Sequence, residues 1–350
     1  MAGVRKRFAS PLFWCGRMLH CTDLLEVICV YANMSCGREE RRCPSAEHAA
    51  PADDGQRITL PVDAGHAEMM RYPVFPGITL TYQKFHAPRI DTLLHEDPDC
   101  FEICHCLEGR MERHYEDTFY YLTPGDMSVS RVTESAGACE CPLGSYQGIS
   151  IVVNAAQAPD CFSCILDDVD VRPASLMQKF CSDEPFVIMR ANESLAHIFS
   201  ELYSVPDSVR KGYMKVKILE LLLFLSGMER TALEEGRFRA YSSGQVQLAK
   251  SICAYLTEHM NARVTIHELA ERFNVSETQV KNSFKGVYGD SVYSYIRTQK
   301  MRAAALYLRT SDETILEVAG RFGYDNASKF AKAFKDVNGV SPNEFRTFSR

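Results

Sequence analysis

The spacing of hydrophobic residues divides the chain into a strand-rich part and a helix-rich part. Between about residues 58 and 170, short runs rich in β-branched and aromatic residues alternate with turn residues, which is typical of strands. Residues 77–82, 101–107 and 148–153 are such runs, and residues 108–109 and 124–126 have the composition of tight turns. Many short strands at nearly even spacing predict a small barrel or double-sheet roll.

Beyond residue 173 the apolar residues recur at helical spacing. In residues 193–203 the apolar stripe consists of Leu195, Ile198, Phe199 and Leu202, as expected for a helix with one buried face. Residues 215–228 are apolar on almost every face. Such a helix must be covered on several sides, either between layers of the domain or in a subunit contact.

The first 56 residues carry no clear pattern. Residues 37–56 are charged and rich in Pro and Ala, as in a linker. The chain begins like a signal peptide, but Arg17, His20, Asp23 and Glu26 interrupt the apolar run, and no stretch approaches about 18 apolar residues. We therefore expect no export and no membrane span, and a cytoplasmic protein.

The last hundred residues contain an internal repeat. At an offset of 49 residues the matching positions are Thr265/Thr314, Ile266/Ile315, Glu268/Glu317, Leu269/Val318, Ala270/Ala319, Arg272/Arg321 and Phe273/Phe322. After a turn that is one residue longer in the second copy, the matching positions are Val280/Phe330, Phe284/Phe334 and Lys285/Lys335. Two copies of one pattern point to two copies of one supersecondary unit.

The repeated positions are those that a helix-turn-helix unit requires. Ile266, Leu269 and Phe273 form the apolar stripe of a first helix, and the small Ala270 and Ala319 allow a second helix to cross closely.

The turn and the start of the second helix are also marked. A tight turn needs a residue that tolerates positive φ, which Gly323 and Asn274 supply in the two copies. Ser276 and Asn326 are suited to cap the helices that follow.

The second helix of each unit, called here the recognition helix, has a polar outer face. Val280, Phe284 and Val287 in the first copy, and Phe330 and Phe334 in the second, are expected to face the core. The outward residues are then Thr278, Lys281, Asn282 and Lys285 in the first copy and Ser328, Lys329, Lys332 and Lys335 in the second. These side chains can reach base edges or phosphates in a major groove, so we predict that they bind DNA.

The segment between the copies, residues 291–309, is rich in helix formers and lacks Gly and Pro. A helix of this length spans roughly 28 Å. It would place the two recognition helices about one turn of B-DNA apart, around 34 Å. One chain would then read two successive major-groove segments.

Residues of about 245–346 resemble the DNA-binding domain of the AraC/XylS family of bacterial transcription regulators. The matching segments are residues 266–270 (IHELA), 296–304 (IRTQKMRAA), 315–323 (ILEVAGRFG), 330–335 (FAKAFK) and 339–342 (GVSP), ahead of Phe345 and Arg346. The resemblance implies a sequence-specific regulator that is not an enzyme, with double-stranded promoter DNA, RNA polymerase, a small-molecule effector and a second copy of the chain as partners.

The resemblance also assigns base-reading positions. They fall on Thr278, Lys281 and Asn282 in the first unit and on Ala327, Ser328, Lys329 and Lys332 in the second. Because Ala327 has no polar group, we expect the second unit to rely more on phosphate contacts.

Members of this family often carry a cupin-like β-roll and a helical dimerisation segment in front, and residues 70–230 are compatible with both. Residues 122–126 (LTPGD) are similar to the turn before an inner strand of such rolls. The expected fold is therefore α+β, with an N-terminal cupin-like β-roll and a helical dimerisation segment, and a C-terminal all-α domain of two helix-turn-helix units joined by a linker helix. The expected bounds are an extension (1–56), the β sensing domain (57–172), the helical segment (173–230), a linker (231–244) and the DNA-binding domain (245–350).

The sensing half offers few candidate sites. Enzymatic cupins use a His-x-His pair for metal, but the corresponding strand has Cys104, His105 and Cys106. On a strand the two cysteines share one face and the histidine points to the other, so we predict no metal and no cofactor. The residues expected to line an effector pocket are Tyr82, Phe101, Glu102 and Tyr115.

Charge and cysteine content refine this interpretation. Residues 244–350 hold 15 basic and 11 acidic residues, whereas the first 243 hold 24 and 34, as suits a modestly basic DNA-contacting module attached to an acidic domain. The 14 cysteines are scattered, as in a reducing compartment. Pairs at residues 139/141 and 161/164 leave open a redox- or metal-responsive regulator. A DNA-repair alkyltransferase-regulator is a further alternative, but its paired cysteine spacing is missing.

Overall fold

The computed structural model describes residues 55–91, 97, 99–115, 117–132, 138–159, 171–182, 186–228 and 240–349. Within these residues two antiparallel sheets form the N-terminal part. The larger sheet has the order β1 (Gln56–Leu60), β2 (His66–Phe75), β3 (Ile78–His86), β10 (Tyr146–Asn154), β5 (Cys100–Gly109), β8 (Met127–Arg131) and β11 (Phe186–Met189). The smaller sheet has the order β12 (Tyr241–Ser242), β7 (Thr118–Leu122), β6 (Met111–Tyr115), β9 (Ala138–Glu140) and β4 (Arg89–Asp91).

A hydrophobic core occupies part of the space between the two sheets, which together are called the roll below. Cys104 and Cys106 point into it from β5, together with Phe85, Leu122 and Tyr146 from neighbouring strands. The turn predicted at residues 124–126 is confirmed, and Gly125 has a φ of 87°. Residues 108–109 do not form the predicted turn, because both belong to β5, which ends at Gly109 with a φ of 83°.

The opposite face of β5 packs against helices. His105 stacks on Phe199 with 4.0 Å between ring centroids. The prediction that His105 and its two flanking cysteines lie on opposite faces is therefore confirmed. Because one face of the strand meets the core and the other meets helices, almost every residue of β5 is buried.

In the described part of the chain, three α-helices follow the roll: α1 (Pro173–Cys181), α2 (Glu193–Tyr203) and α3 (Arg210–Gly227), with a 3-10 helix (Asp207–Val209) directly before α3. Strand β11 lies between α1 and α2 and pairs with β8, so the segment expected to be helical contains a strand as well. The run Phe186–Met189 is short, apolar and β-branched in part, which suits an edge strand. Helix α3 buries one side, but Val216 is 61% exposed and Leu219 and Leu223 are half-buried.

The C-terminal part is helical. Its elements are α4 (Ser243–Glu258), α5 (Ile266–Phe273), α6 (Glu277–Tyr288), α7 (Val292–Thr310), α8 (Ile315–Arg321), α9 (Ala327–Asn338) and α10 (Pro342–Ser349). Both predicted helix-turn-helix units are confirmed, as α5–α6 and α8–α9. The linker helix α7 is shifted by one residue from its prediction because Ser291 is its N-cap.

The local signals that predicted the repeat carry the expected chemistry. Thr265 and Thr314 each form a capping box with the glutamate three residues later. Asn274 has φ of 52°, the one positive value of a non-glycine residue in the described part of the chain, and Gly323 has φ of 77°. Thus the two turns use the left-handed region as predicted.

Each unit has its own core. Leu269, Val280, Phe284 and Val287 are buried in the first, together with residues of α4. The second core contains Phe330 and Phe334 with residues of α7 and α8. The inward positions predicted for both recognition helices are therefore confirmed.

Candidate nucleic-acid interface and internal cavity

The first recognition helix, α6, presents a polar face to solvent. Thr278, Lys281, Asn282 and Lys285 are all exposed, and Ser276 caps the helix by accepting a hydrogen bond from the Gln279 amide. Lys281 Nζ lies 3.1 Å from Glu277 Oε2, with 58% and 46% of the two side chains exposed. An ion pair this exposed is weak, so Lys281 stays available to a phosphate.

The second recognition helix, α9, has the same construction. Ser328, Lys329, Lys332 and Lys335 are exposed, and the Asn326 side chain accepts hydrogen bonds from the amides of Ser328 and Lys329. Ala327 is half-buried. The exposed face therefore carries three lysines and one hydroxyl, a composition suited to phosphate contacts.

Contacts of the linker helix tie the two units together. Lys300 is buried and donates a hydrogen bond to the Ala262 carbonyl at 3.0 Å, and burial lowers its pKa. Arg297 forms an ion pair with Asp336 of α9. A Cβ on Gly323 would lie 2.8 Å from the Asn261 oxygen, so the turn of the second unit approaches the loop after α4. We did not predict Lys300, whose only signal was a lysine among the apolar residues of α7.

A cavity of about 170 Å³ lies inside the roll, between the two sheets. It is lined by Leu60, Met69, Arg71, Thr79, Thr81, Gln83, Phe85, Glu102, Met111, Arg113, Cys139, Ser150 and Val152. Of the three predicted pocket residues whose side chains are described, Tyr82, Phe101 and Glu102, only Glu102 lines this cavity. Tyr82 instead donates a hydrogen bond to the Leu202 carbonyl of α2, Phe101 is buried away from the cavity, and the Tyr115 side chain lies outside the described residues.

Glu102 is a buried carboxylate with two donors. Ser150 Oγ donates to its Oε1 at 2.5 Å and Arg113 Nη2 donates to its Oε2 at 3.0 Å. Arg113 Nη2 also lies 3.1 Å from Cys104 Sγ. Because Glu102 is buried and the Arg113 side chain is only 21% exposed, the attraction between them is less screened than at the surface.

Four thiols occupy the same core, those of Cys104, Cys106, Cys139 and Cys141. Burial raises the pKa of Cys104 well above its usual value, whereas a hydrogen bond from Cys141 and the nearby Arg113 lower that of Cys139. No cluster of three or more His, Cys, Asp or Glu suited to a metal ion occurs among the described residues. The pair at residues 161/164 lies outside the described residues.

None of the helices in the described ranges has the length and apolar character needed to cross a membrane.

The helical part matches known proteins. A protein-family model described as "Helix-turn-helix domain" matches residues 269–347. Over 148 residues the chain is 30% identical to the MmsAB operon regulatory protein of Pseudomonas aeruginosa. This alignment covers 42% of this chain and 46% of the relative. Over 96 residues it is 29% identical to the multiple antibiotic resistance protein MarA of Escherichia coli, and this alignment covers 27% of this chain and 76% of the relative.

Among solved structures, the C-terminal domain of AraT, a response regulator from Geobacillus stearothermophilus, is 31% identical, covers 29% of this chain and 84% of that chain, and has a TM-score of 0.28. The chain spans less than half the length of some curated relatives that it matches. Two helix-turn-helix units joined by one helix define the class of DNA-binding proteins to which the C-terminal domain belongs. In this domain the chain is similar to DNA-binding regulators of the AraC/XylS type.

Proposed function

We propose that the chain is a sequence-specific transcriptional regulator that binds promoter DNA through α6 and α9. The observation that carries this proposal is that both recognition helices leave the same kind of polar, lysine-bearing face uncovered. The polar residues on the outer face of each helix are exposed. The apolar residues of the same two helices are buried in two separate cores. A second helix of this kind inserts its outer face into the major groove.

The proposed roles of the exposed residues differ. Thr278 and Asn282 carry groups that can bond base edges, so they are assigned to sequence readout. Lys281, Lys285, Lys329, Lys332 and Lys335 are assigned mainly to phosphates, and Ser328 to a base edge or a phosphate.

The test is a binding titration of the full chain against a duplex from upstream of its own gene, over a series of salt concentrations. Each phosphate contact contributes about 0.9 to the slope of log affinity against log salt. Replacing Lys281 and Lys332 with Ala is expected to weaken binding and reduce that slope by about 2. The matched control replaces Lys84 and Lys211, which are exposed lysines outside the helical domain, and should leave the slope unchanged. Equal slopes for both double variants contradict the proposal.

The N-terminal part is proposed to sense a signal, with residues 57–172 as a cupin-like sensing domain and residues 173–230 as a packing and dimerisation segment. The cavity between the two sheets supports a small-molecule effector. The exposed Val216 and the half-buried Leu219 and Leu223 on α3 support a homodimer contact. The proposed protein partner of such a regulator is RNA polymerase. The proposed location is the cytoplasm, where the promoter DNA lies.

A further inference from the structure

The smaller sheet separates the cavity from the first helix-turn-helix unit. Along β6 the side chains of Met111 and Arg113 line the cavity. The alternate residues Arg110 and Glu112 lie on the other face, where they contact the helical part. Neighbouring strands follow the same alternation, since Cys139 lines the cavity and Glu140 binds Lys250 of α4.

The outer face of this sheet holds the first recognition helix by its backbone. Arg110 is buried, donates a hydrogen bond to the Gly286 carbonyl at 2.5 Å and lies 4.7 Å above the Tyr121 ring. The Tyr241 ring packs against Gly286 so closely that a Cβ at this position would lie 2.1 Å from a ring carbon. Gly286 belongs to α6, so these contacts act on the helix whose exposed face is proposed to read DNA.

Glu112 fixes the helix before the first unit. Its carboxylate accepts hydrogen bonds from Tyr121 Oη at 2.6 Å and from Lys250 Nζ at 2.9 Å. Lys250 also donates to Glu140 at 2.5 Å. Because Glu112 is buried, losing its partner costs more than losing a surface ion pair.

On the inner face, Arg113 is held by Glu102 through the 3.0 Å hydrogen bond described above. Two arginines, Arg71 and Arg113, and one carboxylate, Glu102, are among the described residues that line the cavity. The Gln83 Oε1 atom is buried without a hydrogen-bond partner in the described part of the chain. This lining suits a small ligand that brings a carboxylate to the guanidinium groups and a donor to Gln83.

We infer that strand β6 couples the cavity to the first recognition helix. A small carboxylate that replaces Glu102 as the hydrogen-bond partner of Arg113 would shift the contacts of Arg110 with α6 and of Glu112 with α4. The inference rests on the proposed DNA-binding function. Arg110 directly precedes β6, and Met111, Glu112 and Arg113 are the first three residues of that strand. A displacement on one face is therefore transmitted to the other without an intervening element. Such a ligand changes DNA affinity only through a difference in its own affinity for the two arrangements.

The mutational test uses Glu102→Gln in the full chain, which weakens the hold on Arg113 as a competing carboxylate would. We expect the DNA dissociation constant to change about 5-fold or more, and amide hydrogen exchange at residues 286–289 to change with it. In a Glu112→Gln background, where the contact between Glu112 and Lys250 of α4 is already weakened, the Glu102→Gln substitution should change the DNA dissociation constant less than about 2-fold. Glu68→Gln is the matched control because Glu68 lies on β2, outside the cavity lining.

The outcomes separate the inference from the proposed function. Equal effects of Glu102→Gln in both backgrounds, or none in a folded protein, overturn the coupling even if the wild type binds DNA with steep salt dependence. If the wild type binds no duplex, the proposed function fails, and hydrogen exchange still decides the coupling.

The ligand class is tested by exchange at residues 286–289 with acetate, lactate, succinate and benzoate against their neutral amides. A response to at least one carboxylate but not to its amide is expected, and Arg113→Lys should reduce it. Absence of any response to all four overturns the assignment of a carboxylate.

Discussion

His105 is held neutral by its surroundings. Its ring stacks on Phe199, and its Nδ1 atom lies 3.0 Å from Tyr203 Oη. Its Nε2 atom is buried without a partner among the described residues. Burial lowers the pKa of His105 from 6.5 to about 4, against a smaller opposing effect of Asp126. A proton that binds the unfolded chain near neutral pH therefore does not bind the folded one.

This difference predicts a loss of stability in mild acid. Above about pH 6.5 the imidazole is neutral in both states and has no effect. As the pH falls from 6.5 towards 4, only the unfolded state gains the proton, so the free energy of unfolding decreases by up to about 3 kcal/mol. His105→Phe keeps a ring against Phe199 and removes the titration, so urea unfolding should show a shallower pH dependence for the variant. Parallel pH profiles would contradict this account.

At the scale of elements, the second helix-turn-helix unit depends on its caps. Helix α8 has seven residues, which is too short to be stable alone. Thr314 and Glu317 form its capping box, with the Glu317 carboxylate 2.7 Å from the Thr314 amide nitrogen. This local bonding, together with the burial of Val318 and Ala319, holds the helix that supports α9.

Removing the cap should therefore be measurable. Thr314→Ala is expected to lower the free energy of unfolding by about 1 kcal/mol, with faster amide exchange in α8. Thr314→Ser retains the hydroxyl and is the matched control, because its cap is chemically equivalent. Similar losses for both variants would show that the methyl group, not the hydrogen bond, stabilises this position.

At the scale of the whole molecule, the first helix-turn-helix unit packs directly against the smaller sheet of the roll. Strand β12 pairs with β7 through Tyr241 and Ser242, and α4 begins at the next residue. Tyr121 of the smaller sheet is buried in the core of the first unit. The second unit has a separate core, composed of residues of the helical domain.

Two helical glycines allow the effect of the contact between Tyr241 and α6 to be separated from the effect of helix propensity. A Cβ on Gly286 would meet the Tyr241 ring, whereas one on Gly320 of α8 would meet nothing within 4 Å. Gly320→Ala should raise the free energy of unfolding by about 0.5–1 kcal/mol. Gly286→Ala should lower it by about 1 kcal/mol or more, since overpacking outweighs the same gain. Stabilisation by both substitutions in urea unfolding would show that Tyr241 does not constrain α6.

The helical domain was predictable because its signals are local. Caps such as Ser276 and turn residues such as Asn274 act within a few residues of their own positions. The apolar positions of each helix repeat at a period that assigns one face to the core. The strand-rich architecture of the N-terminal part also followed from such runs, although β11 was missed because its four residues lie between helices.

What the sequence alone determined is therefore the two helix-turn-helix units, their exposed polar faces and the family that they resemble. Only the tertiary structure decided which strand residues face the cavity, because β5 is buried on both sides and alternation cannot tell a cavity from a helix-covered face. That ambiguity led to the choice of Tyr82 and Phe101 instead of Arg71 and Arg113. The grip of Arg110 on Gly286 joins residues 176 positions apart, a distance over which no local pattern carries information.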